Sequence, residues 1–165
     1  LRKTVLIAVL VLLAMIPVAY AAMYVFTLNM SKEVIKFNTL ATEICKAEPH
    51  NYFTGIKFKV VDENTKYIIL HFTVKPEGME LEENATLEVQ VRFITSGIEV
   101  GRGTATFENG VWKVKVVSTI KPEPIMVSTK YEYGIYITVK GIKKLGNNAR
   151  LILSLDKVES YTHIG

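Results

Sequence analysis

The residues that could carry chemistry are few and scattered. His50, His71 and His163 stand far apart and lack the close His or Cys spacing that a zinc site needs. Asp62 and Asp156 are the only aspartates, and both fall where turns favour them. Glu80, Glu82 and Glu83 form an acidic loop; carboxylates of this kind could hold a hard cation weakly, but a solvated loop is the simpler reading. Cys45 is the single cysteine, which excludes an intrachain disulfide and a cysteine-based metal cluster, and a lone thiol is most often a small buried apolar group. Gly97, Gly101 and Gly103 have the spacing of bulges or close strand approaches, and no helix follows them to make a phosphate cradle. No serine or cysteine sits in a nucleophile signature with a base beside it. These residues predict no catalytic centre, no metal and no cofactor, and the chain is expected not to be an enzyme.

The elements that would position them begin with an apolar segment. From Thr4 to Ser31 there is no charged side chain, and Arg2-Lys3 precede the run. That exceeds the ~20 residues a helix needs to cross hydrocarbon. Three readings remain open: a cleaved secretory signal, a retained membrane anchor, and the stalk of a filament subunit. Ala19-Tyr20-Ala21 supplies a small-x-small cleavage pattern. Apolar character nevertheless continues through Phe26 and Leu28, which favours retention. Arg2-Lys3 fit the cytoplasmic flank of an anchor. Pro17 predicts a bend, and Tyr20 and Tyr24 fit either an interface belt or helix packing.

Ser31 with Glu33 marks a helix start, and Val34, Phe37, Leu40, Ala41 and Ile44 recur at helical spacing. Residues 31–52 are therefore expected to be an amphipathic helical extension or, given β-branched Ile35, Thr39 and Thr42, an extended linker. From Phe53 the period becomes two. Ile56, Phe58 and Val60 alternate with lysines; Ile68, Leu70, Phe72 and Val74 form a second strand; Leu87, Val89, Val91 and Phe93 a third. Asn109-Gly110 predicts a hairpin leading into Trp112, Val114 and Val116. Further strands are expected at Gly134–Val139 and Leu151–Leu155, with breaks at Lys75-Pro76-Glu77-Gly78, at the acidic loop and at Gly146-Asn147-Asn148. About eight short strands with turns between them predict an all-β antiparallel sandwich, immunoglobulin-like, over residues 53–165, behind a hydrophobic α-helix over residues 1–30. No internal repeat of fixed period is found.

Net charge is +4, half of it on Arg2 and Lys3, too little to indicate a nucleic-acid partner. Glutamate and lysine dominate the charged residues and Gln90 is the only glutamine, a bias reported for hyperthermophile proteins. Asn84-Ala85-Thr86 and Asn29-Met30-Ser31 are N-glycosylation sequons, with Asn84 the better placed acceptor.

A chain starting at Leu1, with an apolar run from Thr4 to Leu28 and then a β-rich domain, resembles the archaeal type IV pilins and archaellins. Arg2 and Lys3 depart from that pattern, which is usually apolar there. The resemblance implies a structural subunit of an extracellular filament, with copies of itself as partners, the membrane as its location before assembly, and the helices bundled in the core. Val5, Leu6, Val9, Leu12, Leu13, Ile16, Val18 and Val25 would pack that core. The alternative is a membrane-anchored extracytoplasmic binding module that forms no filament. The stretches Ile68–Pro76 and Gly97–Thr104 also resemble the water-stress domain of late-embryogenesis-abundant proteins, an immunoglobulin-like sandwich, with Lys75-Pro76-Glu77 in place of that family's Asn-Pro-Asn.

Overall fold

The computed structural model describes residues 25–28, 40–43 and 50–164. All elements among them are strands: β1 (Val25–Leu28), β2 (Leu40–Glu43), β3 (His50–Val60), β4 (Tyr67–Phe93), β5 (Glu99–Glu108), β6 (Val111–Ser118), β7 (Ile125–Met126) and β8 (Glu132–Tyr161). They form one eight-stranded sheet with the path β1-β3-β8-β4-β5-β6, β2 joining β8 and β7 joining β4. Pairing is antiparallel except between β1 and β3, which run parallel.

Two expectations change here. Val25, expected at the end of the hydrophobic helix, lies in β1, and Leu40–Glu43, within the segment expected as an amphipathic helical extension or an extended linker, pairs with Arg150–Leu153 as β2. Val25, Thr27 and Thr42 are β-branched, and a neighbouring strand satisfies their backbone groups as well as a helix would. The apolar positions Val5, Leu6, Val9, Leu12, Leu13, Ile16 and Val18 lie outside the described residues, as do Asn29 and Cys45.

The second change concerns strand length. The segments expected as separate strands on either side of Lys75–Asn84 belong to one 27-residue strand. The segments flanking Gly146-Asn147-Asn148 likewise belong to one 30-residue strand. The breakers act as bulges. Between Glu77 and Met79 the register with β8 jumps from Arg150 to Leu145, so β8 bulges over Gly78. Between Leu81 and Thr86 it steps only from Ile142 to Lys140, so β4 bulges over Gly141. Both glycines have positive φ, 66° and 88°, a region open to glycine at little cost. Pro76 sits where β4 has passed its last β6 partner, Val74, and not yet met β5 at Thr86, a stretch where one edge of β4 is locally unpaired, the setting in which a strand tolerates proline.

These reciprocal bulges expose a relation that is not periodic enough to stand out in the sequence. Thr65-Lys66-Tyr67, Thr73-Val74-Lys75, Gly78 and Asn84-Ala85 in and before β4 match Thr129-Lys130-Tyr131, Thr138-Val139-Lys140, Gly141 and Asn148-Ala149 in and before β8. Glu80 pairs with Lys144 near the midpoint of the two strands. β4 and β8 are thus approximate copies paired antiparallel about a local twofold.

At the bulges the sheet curls, so that both ends of each long strand share one core. Ile68, Leu70, Phe72 and Val74 from the first half of β4 join Leu87, Val89 and Val91 from the second, together with Ile135, Ile137, Leu151 and Leu153 of β8. Phe58 of β3 stacks on Tyr133 at 5.1 Å, and Trp112 of β6 meets Phe107 of β5 edge-on at 5.2 Å. The expected alternation of Trp112, Val114 and Val116 against exposed Lys113 and Lys115 is present. Asn109 and Gly110 both have positive φ, as a two-residue hairpin of the predicted kind requires. Gly101 and Gly103 are close approaches: a Cβ on either would collide, with the Ile125 side chain and the Lys115 carbonyl respectively.

Candidate functional site

The outward side chains of β3, β8, β4 and β5 make a connected polar network. Alternation along β4 sends Leu87, Val89 and Val91 to the core and Glu88, Gln90 and Arg92 to the other face. Register then sets Gln90 beside Tyr136 of β8 and Arg102 of β5, and Asn51 of β3 beside Thr138. Gln90 is nonetheless only 3% exposed, because its neighbours close over it. Its Oε1 accepts from Asn51 Nδ2 and, at 3.2 Å, from Arg92 Nη2; its Nε2 donates to Glu88 Oε1 and, at 3.3 Å, to Thr138 Oγ1. Every lone pair and proton of the amide is therefore used. Arg92 lies over the Tyr136 ring at 5.3 Å and donates to Gly97 O at 3.2 Å. Arg102 closes the row with two bonds to Glu99, at 2.6 and 2.7 Å. Beside it Phe53, 43% exposed, packs on Tyr136 at 5.0 Å. The amide at the centre is saturated, and Phe53 and Arg102 lie exposed at the outer rim of this face. The sequence places Gln90 on the outward row; its burial depends on which strands flank it, which no local pattern encodes.

On the outward face of the other half, His71 Nε2 lies 2.9 Å from Glu159 Oε2, and Lys157 Nζ lies 3.4 Å from Glu159 Oε1. The hydrogen bond from His71 holds the Glu159 carboxyl below its ordinary value, with a smaller contribution from Lys157. Thr73 donates to Asp156 nearby. Thus His71 and Asp156 are brought to one face, 113–115 of β6 bordering them, whereas His163 lies at the far end of the chain, bonded to Thr162. Among the described residues no group of three or more His, Cys, Asp or Glu has the geometry of a metal site. Glu80 is exposed just before the β4 bulge, and Glu82 and Glu83 are exposed on it; Glu80 pairs with Lys143 at 3.4 Å. Asn84 is exposed beside them.

A third feature ties strand ends together. Tyr133, 1% exposed, accepts a hydrogen bond from the Ser128 amide at 2.9 Å, and burial pushes its phenol above the ordinary range. Phe93 packs on the same ring at 5.4 Å. The loop of residues 127–131 is thereby fixed to the core.

No family model matches the chain, and no curated protein matches it. Among solved structures, the insecticidal delta-endotoxin Cry8Ea1 from Bacillus thuringiensis is similar at a TM-score of 0.41 and 11% identity, over 68% of this chain and 19% of the toxin. A structure from the Gx strain of infectious bursal disease virus is similar at 0.34 and 13%, over 73% of this chain and 32% of that one. The chain thus spans about a fifth and a third of these two, and neither likeness bears on what it does.

Proposed function

We propose that the chain is a displayed, non-enzymatic β-module: its apolar run lies in a membrane or filament core and its curled sheet, read as an immunoglobulin-like sandwich, lies outside the cell. The supporting observation is the junction. The uncharged run from Thr4 continues without a linker into Val25–Leu28, which pairs along the edge of β3. An apolar segment joined directly to a sheet edge holds the domain close to whatever surrounds that segment. In the filament reading, copies of the chain surround it, and each buried methylene contributes ~0.8 kcal/mol to assembly. A heterologous contact that does not close then builds a helical polymer. Electron microscopy of envelope material tests this: filaments that dissociate to a single band of this mass support it, and the same band found only in dispersed membrane vesicles argues against it.

The second reading, an anchored binding module without a filament, is favoured by β2. A pilin stalk would continue as a helix through residues 31–47, whereas Leu40–Glu43 is sheet. Exposed Asn84 is the glycan acceptor in either case.

A further inference from the structure

The two copies of Thr-Lys-Tyr converge on one cavity. Thr65 and Lys66 enter it from the β3–β4 loop, and Thr129 and Lys130 from the β7–β8 loop, with Glu63 and Ser128 beside them. Its volume is about 350 Å³. The loops are fixed to each other and to the core: Val127 N donates to Lys66 O at 2.9 Å, Lys66 N to Tyr161 O at 2.9 Å, and Ser128 N to Tyr133 Oη at 2.9 Å. Asp62 shapes the first loop, accepting from Asn64 N at 2.9 Å and, through its carbonyl, from Thr65 N at 3.0 Å.

The donors in this cavity are in excess. Thr65 is 1% exposed and its Oγ1 is buried with no hydrogen-bond partner. The Ser128 hydroxyl oxygen accepts from Lys130 N at 3.2 Å, which leaves its proton free to donate outward. Lys66 and Lys130 are exposed and have no carboxylate within ion-pair distance among the described residues. Ammonium groups are donors only, and two of them repel a cation. Glu63 adds one carboxylate to the lining; it is exposed and free to turn into solvent. Three hydroxyls and two unpaired ammonium groups around a polar hollow match an acceptor-only ligand bearing negative charge.

We propose that this cavity binds the tetrahedral oxyanion of a phosphate or sulfate group. The volume would hold about twelve waters at ~30 Å³ each, more than a bare ion fills, so the group is carried as an ester on a larger molecule. Lys66 and Lys130 supply the charge, and the Thr129 and Ser128 hydroxyls set the geometry. Thr65 Oγ1 at the floor gains the partner it lacks once a ligand oxygen or its bridging water reaches it. The site does not depend on whether the chain assembles into filaments.

The test uses the full chain in detergent, titrated with inorganic phosphate, glucose 6-phosphate and glucose 6-sulfate against sodium chloride of equal ionic strength. The esters should raise the unfolding temperature and bind in calorimetry where chloride does not; binding of inorganic phosphate as well would extend the ligand to the free ion. Lys66→Gln with Lys130→Gln should weaken binding about tenfold or more, the loss of one or two charge-assisted bonds. Thr65→Val should raise the unfolding temperature of the free protein and yet weaken ester binding, while Glu63→Gln should tighten it. Equal response to chloride, or ester binding that survives the double lysine substitution, overturns the proposal.

Discussion

Gly141 of β8 lies against Ala85 of β4 so closely that a Cβ on the glycine would stand 2.8 Å from the alanine Cα. Gly78 has the same relation to Ala149, at 3.1 Å from its Cα. Each pair is the point at which one long strand bulges over the other, and backbone on both sides leaves nothing that can yield. Gly141→Ala is therefore expected to combine left-handed strain with overpacking and cost about 2–4 kcal/mol. Gly110→Ala, at φ 85° with nothing within 4 Å of the new methyl, should cost only about 1 kcal/mol. Urea unfolding of both variants decides the matter; equal losses would mean that the bulge tolerates expansion.

Gln90 stands at the centre of its network with all four of its hydrogen-bonding positions occupied. Gln90→Leu keeps the volume and strands its partners, Glu88 and Arg92 most of all. A loss of about 1–3 kcal/mol is expected, the cost of polar groups left unpaired. A variant as stable as the parent would show that solvent already serves those groups.

The acid limb of stability should carry the mark of Glu159. Its folded value lies below the unfolded one, chiefly through the hydrogen bond with His71. The unfolded chain therefore binds more protons as pH falls, and the stabilisation, present above about pH 4.5, is lost as pH drops through the folded value. His71→Gln should flatten this limb: the variant is expected to be less stable than the parent at every pH above about 4.5 and to approach it as pH falls through the folded value of Glu159. An unaltered acid limb in that variant would assign the effect to Lys157.

Much of the fold was legible in the residues. The alternation of Leu87, Val89 and Val91 located a strand, and Asn109-Gly110 located a hairpin, because both signals are local. Lys75-Pro76-Glu77-Gly78 and Gly146-Asn147-Asn148 read as breaks between strands for an equally physical reason. A positive-φ glycine serves a turn or a bulge alike, and only the partner strand decides which. The likeness between β4 and β8 does not show as a fixed period because Pro76-Glu77 has no counterpart before Gly141. The oxyanion cavity was invisible for another reason. Thr65, Lys66, Thr129 and Lys130 are ordinary loop residues until the curl of the sheet sets the two loops side by side.

The near-equivalence of β4 and β8 has a consequence for how molecules of this protein meet. A strand that matches its own neighbour so well also matches the same strand in another molecule, and closing the native pair joins residues distant along the chain, a slow event. Exchange between molecules competes with it whenever refolding takes place at high concentration. Swapped dimers, resolved by size-exclusion chromatography and growing with protein concentration, are the expected by-product; their absence would mean that the two bulges, Gly78 under one and Gly141 under the other, suffice to tell self from sibling.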